Sequence, residues 1–202
     1  GVDATRHHFN QLFHPSDRDL PEYRRLRLLV HYAKRRRRNS DLYLSYVNLG
    51  ERGEEGDAFG NVLAALLGLA DGGRRAAVLR ALHKAQGLAA YPLRSVCEPI
   101  PRHDLRWRPY MGRHRQNYEH QYHNGGIWPM IGGFWVAALA AAGMRKLAET
   151  ELVRLARANA VNGWEFNEWF HGLTGKPCGM PRQSWNAAAF LLARRSLEAR
   201  LF

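Results

Sequence analysis

The sequence predicts an all-α domain of helical hairpins, with apolar helices inside and amphipathic helices outside. Three observations carry this. Hydrophobic residues make up 46% of the chain, yet strand-like alternation is nearly absent. Residues 58–70 and 130–143 hold no charged side chain, and each stretch is followed directly by an amphipathic one. Each apolar stretch is also entered through a loop of unusual chemistry. At 202 residues the chain is long enough for one domain with a sizeable core.

The elements follow in order. A helix is predicted from Pro21 to about Arg36, with proline near its first position. Asp57 is placed to cap a helix running to about Ala70, where Phe59, Val62, Leu63, Leu66 and Leu67 recur at helical spacing. Asp71, Gly72 and Gly73 end it. Residues 74–86 then put Val78, Leu79 and Leu82 on one face and arginines on the other. The scheme repeats: 130–143 is almost wholly apolar, and 145–159 mixes Leu147, Leu152 and Leu155 with charges. Ser184 opens a third apolar helix that runs to about Arg195.

Apolar and amphipathic helices thus alternate as the inner and outer layers of a ring do. The entry loops of the apolar helices are residues 53–57, 122–129 and 164–183. With the inner helices parallel, all three loops open onto one rim, and loops carry sites. Residues 91–120 contain Pro92, Pro99, Pro101 and Pro109 and show little helical pattern. They are expected to pack over that rim.

The net charge is +12. Its densest run is residues 34–38; elsewhere it is spread along the chain and is nearly all arginine, a solvated surface more than a binding stripe. No nucleic-acid or membrane partner is expected. Cys97 and Cys178 are too few for a disulfide framework, and no apolar leader opens the chain. A reducing, cytoplasmic setting is expected. The longest apolar run, 127–144, is interrupted by Pro129 and glycines and reads as a buried helix. No cofactor or metal is expected: His7, His8, His103, His114 and His120 have no ligand spacing, and the glycine pairs at 125–126 and 132–133 fit no phosphate loop.

The loop at 164–183 is the most informative. It places Glu165 and Glu168 among Trp164, Phe166, Trp169 and Phe170. Aromatic rings stack on the apolar faces of sugars, and a carboxylate activates water or protonates a leaving oxygen. Trp128, Trp164, Trp169 and Trp185 could form a sugar platform or sit in the core. Tyr122, His123, Asn124 and Gln183 could bond sugar hydroxyls or serve turns and caps. Asp57 is explained most cheaply by capping.

Two of these segments resemble a known family. Tyr122-His123-Asn124-Gly125-Gly126-Ile127-Trp128-Pro129 is similar to the Tyr-His-Asn-Gly-x-x-Trp-Pro signature of the six-hairpin glycosidases. Residues 164–168 followed by Thr174 and Gly175 are similar to that family's catalytic-base segment, where a glutamate stands seven residues before the glycine of a Thr-Gly pair. That spacing selects Glu168 over Glu165. Residues 179–185 look like the glutamine-tryptophan element opening the last inner helix, and 57–69 like the Gly-Asn-Leu helix.

The resemblance covers about residues 40–195 and is strongest to the C-terminal domain of amylo-α-1,6-glucosidases and glycogen-debranching enzymes. Neutral and alkaline invertases and the mannosylglycerate-hydrolase group are more distant. It implies an (α/α)6-toroid and an inverting glycoside hydrolase on α-glucosides, with Glu168 as general base. The sugar-binding residues would be Tyr122, His123, Asn124, Trp128, Trp164, Trp169, Gln183 and Trp185. Its general acid, an aspartate, would lie upstream. The chain then reads as a single partial domain over 1–202, about half of the ring, partnered by an N-terminal remainder and a carbohydrate substrate. Alone it would bind sugar poorly and catalyse little. Two alternatives stand beside this: an invertase-like enzyme or a glycoside hydrolase on another small α-glycoside, and a non-catalytic α-glucan-binding or structural remnant of such an enzyme.

Overall fold

The computed structural model describes residues 1–14, 41–48, 51–199 and 201–202. The helix predicted over 21–36 and the basic run at 34–38 lie outside the described residues. Six α-helices stand among those described. The first, α1 (Val2–Phe13), is absent from the sequence reading. It is held by Asn10, whose Nδ2 donates to the Leu69 carbonyl at 3.0 Å and whose Oδ1 accepts from the Tyr43 hydroxyl at 2.6 Å. A short antiparallel hairpin, β1 (Val47–Asn48) and β2 (Glu51–Arg52), follows.

The first inner helix, α2 (Ala58–Leu66), starts where the capping argument places it. The Asp57 carboxylate accepts from the Gly60 N–H at 2.7 Å, filling one of the donor sites a helix start leaves open. It stops short of Ala70 because Gly68 adopts a left-handed φ of 81° just past the Leu67 C-cap. The outer helix α3 (Gly72–Lys84) returns along it, burying Val78, Leu79 and Leu82.

The second pair is α4 (Pro129–Ala141) and α5 (Arg145–Trp164). Helix α4 is the centre of the molecule and packs against α2, α5 and the last helix, α6 (Ser184–Glu198). Its Trp135, Val136 and Leu139 are fully buried, as is Leu155 of α5. Small residues set the spacing. A Cβ on Gly133 would stand 2.4 Å from the Ala189 carbonyl oxygen of α6, so the two backbones meet there. Helix α5 loses regularity at its end: Val161 is extended, and Asn162 and Gly163 are left-handed.

Between α5 and α6 lies a hairpin, β3 (Trp169–Phe170) and β4 (Pro177–Cys178). Backbone pairing stitches the three entry loops together. The Cys97 N–H donates to the Gly56 carbonyl and the Ser95 N–H to the Gly126 carbonyl, while Ile127 and Phe170 exchange N–H···O bonds of 2.8 Å in both directions. The strap at 91–120 therefore runs between the first two loops, and the second pairs with the third. The starts of α2, α4 and α6 accordingly share one end of the molecule.

Candidate active site

At that end, Glu168 is tied at three points to the segment that opens α6. Its N–H donates to the Met180 carbonyl at 2.9 Å, and its carboxylate Oε2 accepts from the Met180 N–H at 3.0 Å. The side-chain amide of Asn186, fully buried, donates to the carbonyls of Asn167 at 2.7 Å and Glu168 at 3.4 Å. The Glu168 side chain is half-buried. One carboxylate oxygen is thus held by the backbone, and no hydrogen bond among the described residues engages the other. A carboxylate so arranged is pointed and partly solvated, as a general base must be.

The signature loop packs against it. His123 stacks on Trp128, ring centroids 5.0 Å apart and 7° between planes, and Tyr122 lies edge-on to both Trp128 and Trp169. The Trp128 indole N–H donates to the Tyr122 carbonyl at 3.0 Å. His123 faces Glu168 electrostatically. Burial against the aromatic rings pushes its imidazole below the usual histidine value, and the Glu168 charge pulls the other way. Backbone strain gathers here too: Tyr122, Trp164, Phe166 and Arg182 all have positive φ. Such residues persist only where surroundings over-determine them, a common property of functional sites.

The predicted sugar-contacting residues differ in exposure, and Tyr122 is half-buried. His123, Trp164 and Trp185 reach solvent, the last two at 50% and 46% exposure, and Gln183 is half-buried at the start of α6. Trp128 and Trp169 are buried in the aromatic stack. Asn124 is employed differently from the prediction. It is buried, its Oδ1 accepts from the Ile100 N–H at 2.7 Å, and its Nδ2 donates to the carbonyls of Ile100 and Asn117. Its side chain clamps the strap to the signature loop, with both Nδ2 hydrogens engaged. Trp185 lines an apolar groove that it shares with Phe59, Met130 and Phe134.

Ser95 and Asn186 were not foreseen. Ser95 Oγ lies 3.2 and 3.1 Å from the Tyr122 and His123 carbonyls and accepts from the Gly125 N–H at 3.0 Å, which shapes the turn presenting His123. Asp57, which points at the same rim, spends its carboxylate on the α2 cap; burial raises its pKa, and the Gly60 and Phe59 N–H groups restrain that rise. Both cysteines are free, and burial pushes the Cys97 thiol up to about 12. Among the described residues, no group of three or more His, Cys, Asp or Glu could hold a metal ion, and no helix is long and apolar enough to cross a membrane.

Residues 57–199 match the family model described as alkaline and neutral invertase. The chain belongs to this family. Among invertase relatives, Cytosolic invertase 1 of Oryza sativa subsp. japonica is 29% identical over 147 residues, covering 70% of this chain and 25% of the relative. Probable alkaline/neutral invertase D of Arabidopsis thaliana is 30% identical over 148 residues, 70% and 27% of the two chains. The chain spans about a quarter of the length of the curated relatives it matches. A crystal structure of GH63 mannosylglycerate hydrolase from Thermus thermophilus, in complex with Tris, superposes with a TM-score of 0.57 at 21% identity, over 84% of this chain and 37% of that one. The same hydrolase in complex with glucose gives 0.57 at 20%.

The invertase-family chain is therefore a six-hairpin glycosidase-superfamily protein carrying part of an (α/α)6-toroid. The sequence resemblance ranked debranching enzymes first and invertases as more distant. The family match reverses that order.

Proposed function

We propose that this chain is the base-bearing part of a glycoside hydrolase that cleaves a small α-glucoside with inversion, sucrose being the first substrate to test. Glu168 is the general base. The observation that carries the reading is its carboxylate: Oε2 is pinned by the Met180 N–H, no hydrogen bond among the described residues engages the other oxygen, and the charge acts on His123. An inverting enzyme needs such an oxygen to take a proton from water, with the acid about 6.5–9.5 Å away across the sugar. Asp57, the rim aspartate considered for that acid, is committed to a helix cap. His123, Gln183 and Trp164 contact the glucosyl unit, and Tyr122, Trp128 and Trp169 hold His123 in place. Family membership favours sucrose over the α-1,6 branch points of glucans.

The test uses the longest gene product containing this chain, assayed on sucrose and on branched α-glucan oligosaccharides, with Glu168→Gln in parallel. Turnover falls at least a thousandfold in the variant if Glu168 is the base. Unchanged turnover removes the assignment. Hydrolysis of the branched oligosaccharides in preference to sucrose restores the debranching reading.

A further inference from the structure

Beside the signature loop lies a cleft of about 270 Å³ that the base does not use. It is walled by the β1–β2 hairpin and the strap, and His123 belongs to its lining as well as to the surroundings of Glu168. Three guanidinium groups enter it, those of Arg52, Arg106 and Arg108. Each is matched by a carboxylate. Arg106 grips Asp104 with Nε at 3.0 Å and Nη2 at 2.7 Å, Arg108 pairs with Glu51 at 2.9 Å, and Arg52 pairs with Glu54. The cleft is therefore rich in N–H donors while its positive charge is locally neutralised. Glu55 adds an acceptor and enters no ion pair among the described residues. Tyr46 and Tyr110 stand at the mouth, 43% and 73% exposed.

This chemistry selects a ligand class. Paired donors and acceptors suit vicinal hydroxyls, and exposed rings suit the C–H face of a pyranose or furanose. The matched charges give an anion no net attraction. The volume falls just below that of drug-sized ligand sites, which begin at roughly 300 Å³, so it admits one sugar unit and not an oligosaccharide. We propose that this cleft is a second saccharide subsite, taking one neutral, polyhydroxylated sugar unit of the substrate whose scissile bond lies at Glu168. The proposal rests on the hydrolase reading above. It gives the strap a role: Asn124 and Ser95 lock it to the signature loop that carries His123.

The experiment measures binding apart from turnover. The longest gene product carrying Glu168→Gln is titrated calorimetrically with sucrose, glucose and glucose 6-phosphate, then again with Glu55→Gln or Tyr110→Ala added. Tyr110 is largely exposed, so its variant keeps the fold, and a thermal melt verifies this. The sucrose Kd rises at least fivefold in each added variant, and glucose 6-phosphate binds no tighter than glucose. A smaller rise in both variants, no sucrose binding by the parent, or a preference for the phosphorylated sugar overturns the subsite. Residual turnover by Glu168→Gln counts against the base assignment alone, because the Kd comparison is independent of it.

Discussion

At Gly179 a side chain has nowhere to go. A Cβ there would lie 2.4 Å from Oε2 of Glu168 and 2.8 Å from the Trp169 ring, and φ is 72°. The glycine lets the Met180 N–H reach the carboxylate, so Gly179→Ala should move the oxygen as well as strain the backbone. The strain alone costs about 1–2 kcal/mol. With the full gene product, kcat on sucrose should drop tenfold or more while KM changes little, because an interaction acting at the reacting centre is lost. At the same scale, His120 and His123 make stability pH-dependent. Burial is the main cause that lowers both below the ordinary 6.5. The unfolded chain then takes up protons first as pH falls, so the contribution is complete above about 6.5 and is lost as pH drops through the folded values. Melting temperature should fall between pH 7.5 and 5.5, and by less in the double variant His120→Gln/His123→Gln.

Helix packing has its own weak point. The α4–α6 crossing depends on Gly133, where a methyl would sit 2.4 Å from backbone oxygen and 2.6 Å from the Ala189 Cβ. Backbone cannot yield as a side-chain tip does. Gly133→Ala should therefore destabilise by about 1–3 kcal/mol, the usual cost of overpacking, read as a lower urea midpoint. Gly73→Ala is the control, since a Cβ there meets nothing within 4 Å. The helices themselves were largely legible in the sequence. Their caps and periodicity are local, and α2, α3, α4, α5 and α6 all begin within two residues of the predicted starts. The hairpin of β3 and β4 was not legible: strands of two residues are too short for alternation to register, and their order comes from Ile127 pairing with Phe170.

For the molecule as a whole, the exposed side of α2, α4 and α6 matters most. Phe59, Met130, Phe134, Trp185 and Leu192 line an apolar groove there, and Leu191 nearby is 60% exposed. Apolar patches of this kind drive association when left open to water. Residues 1–202 expressed alone should self-associate with rising concentration in sedimentation experiments, and Trp185→Ser with Leu191→Lys should reduce it. The candidate site divides in the same manner. Glu168, Tyr122 and Trp128 could be singled out as candidates because motif and spacing are carried in short segments. Asn186, Ser95 and the clamping role of Asn124 were not, since each acts on a backbone group roughly 20 to 30 positions away.

What the sequence determined alone was the all-α hairpin order, the capped start of α2 and the common rim, while the preference for Glu168 over Glu165 came from the family resemblance and remains part of the proposal. The first three follow from periodicity and from spacings within one segment. Only the tertiary structure decided which oxygen of Glu168 is held, that Asn124 is a clamp, that Trp185 faces the apolar groove, and that a neutralised arginine–tyrosine cleft adjoins His123. The reason is physical: hydrogen bonds and burial between distant segments exist only once loops 53–57, 122–129 and 164–183 are brought together by the packing of α4 between α2 and α6.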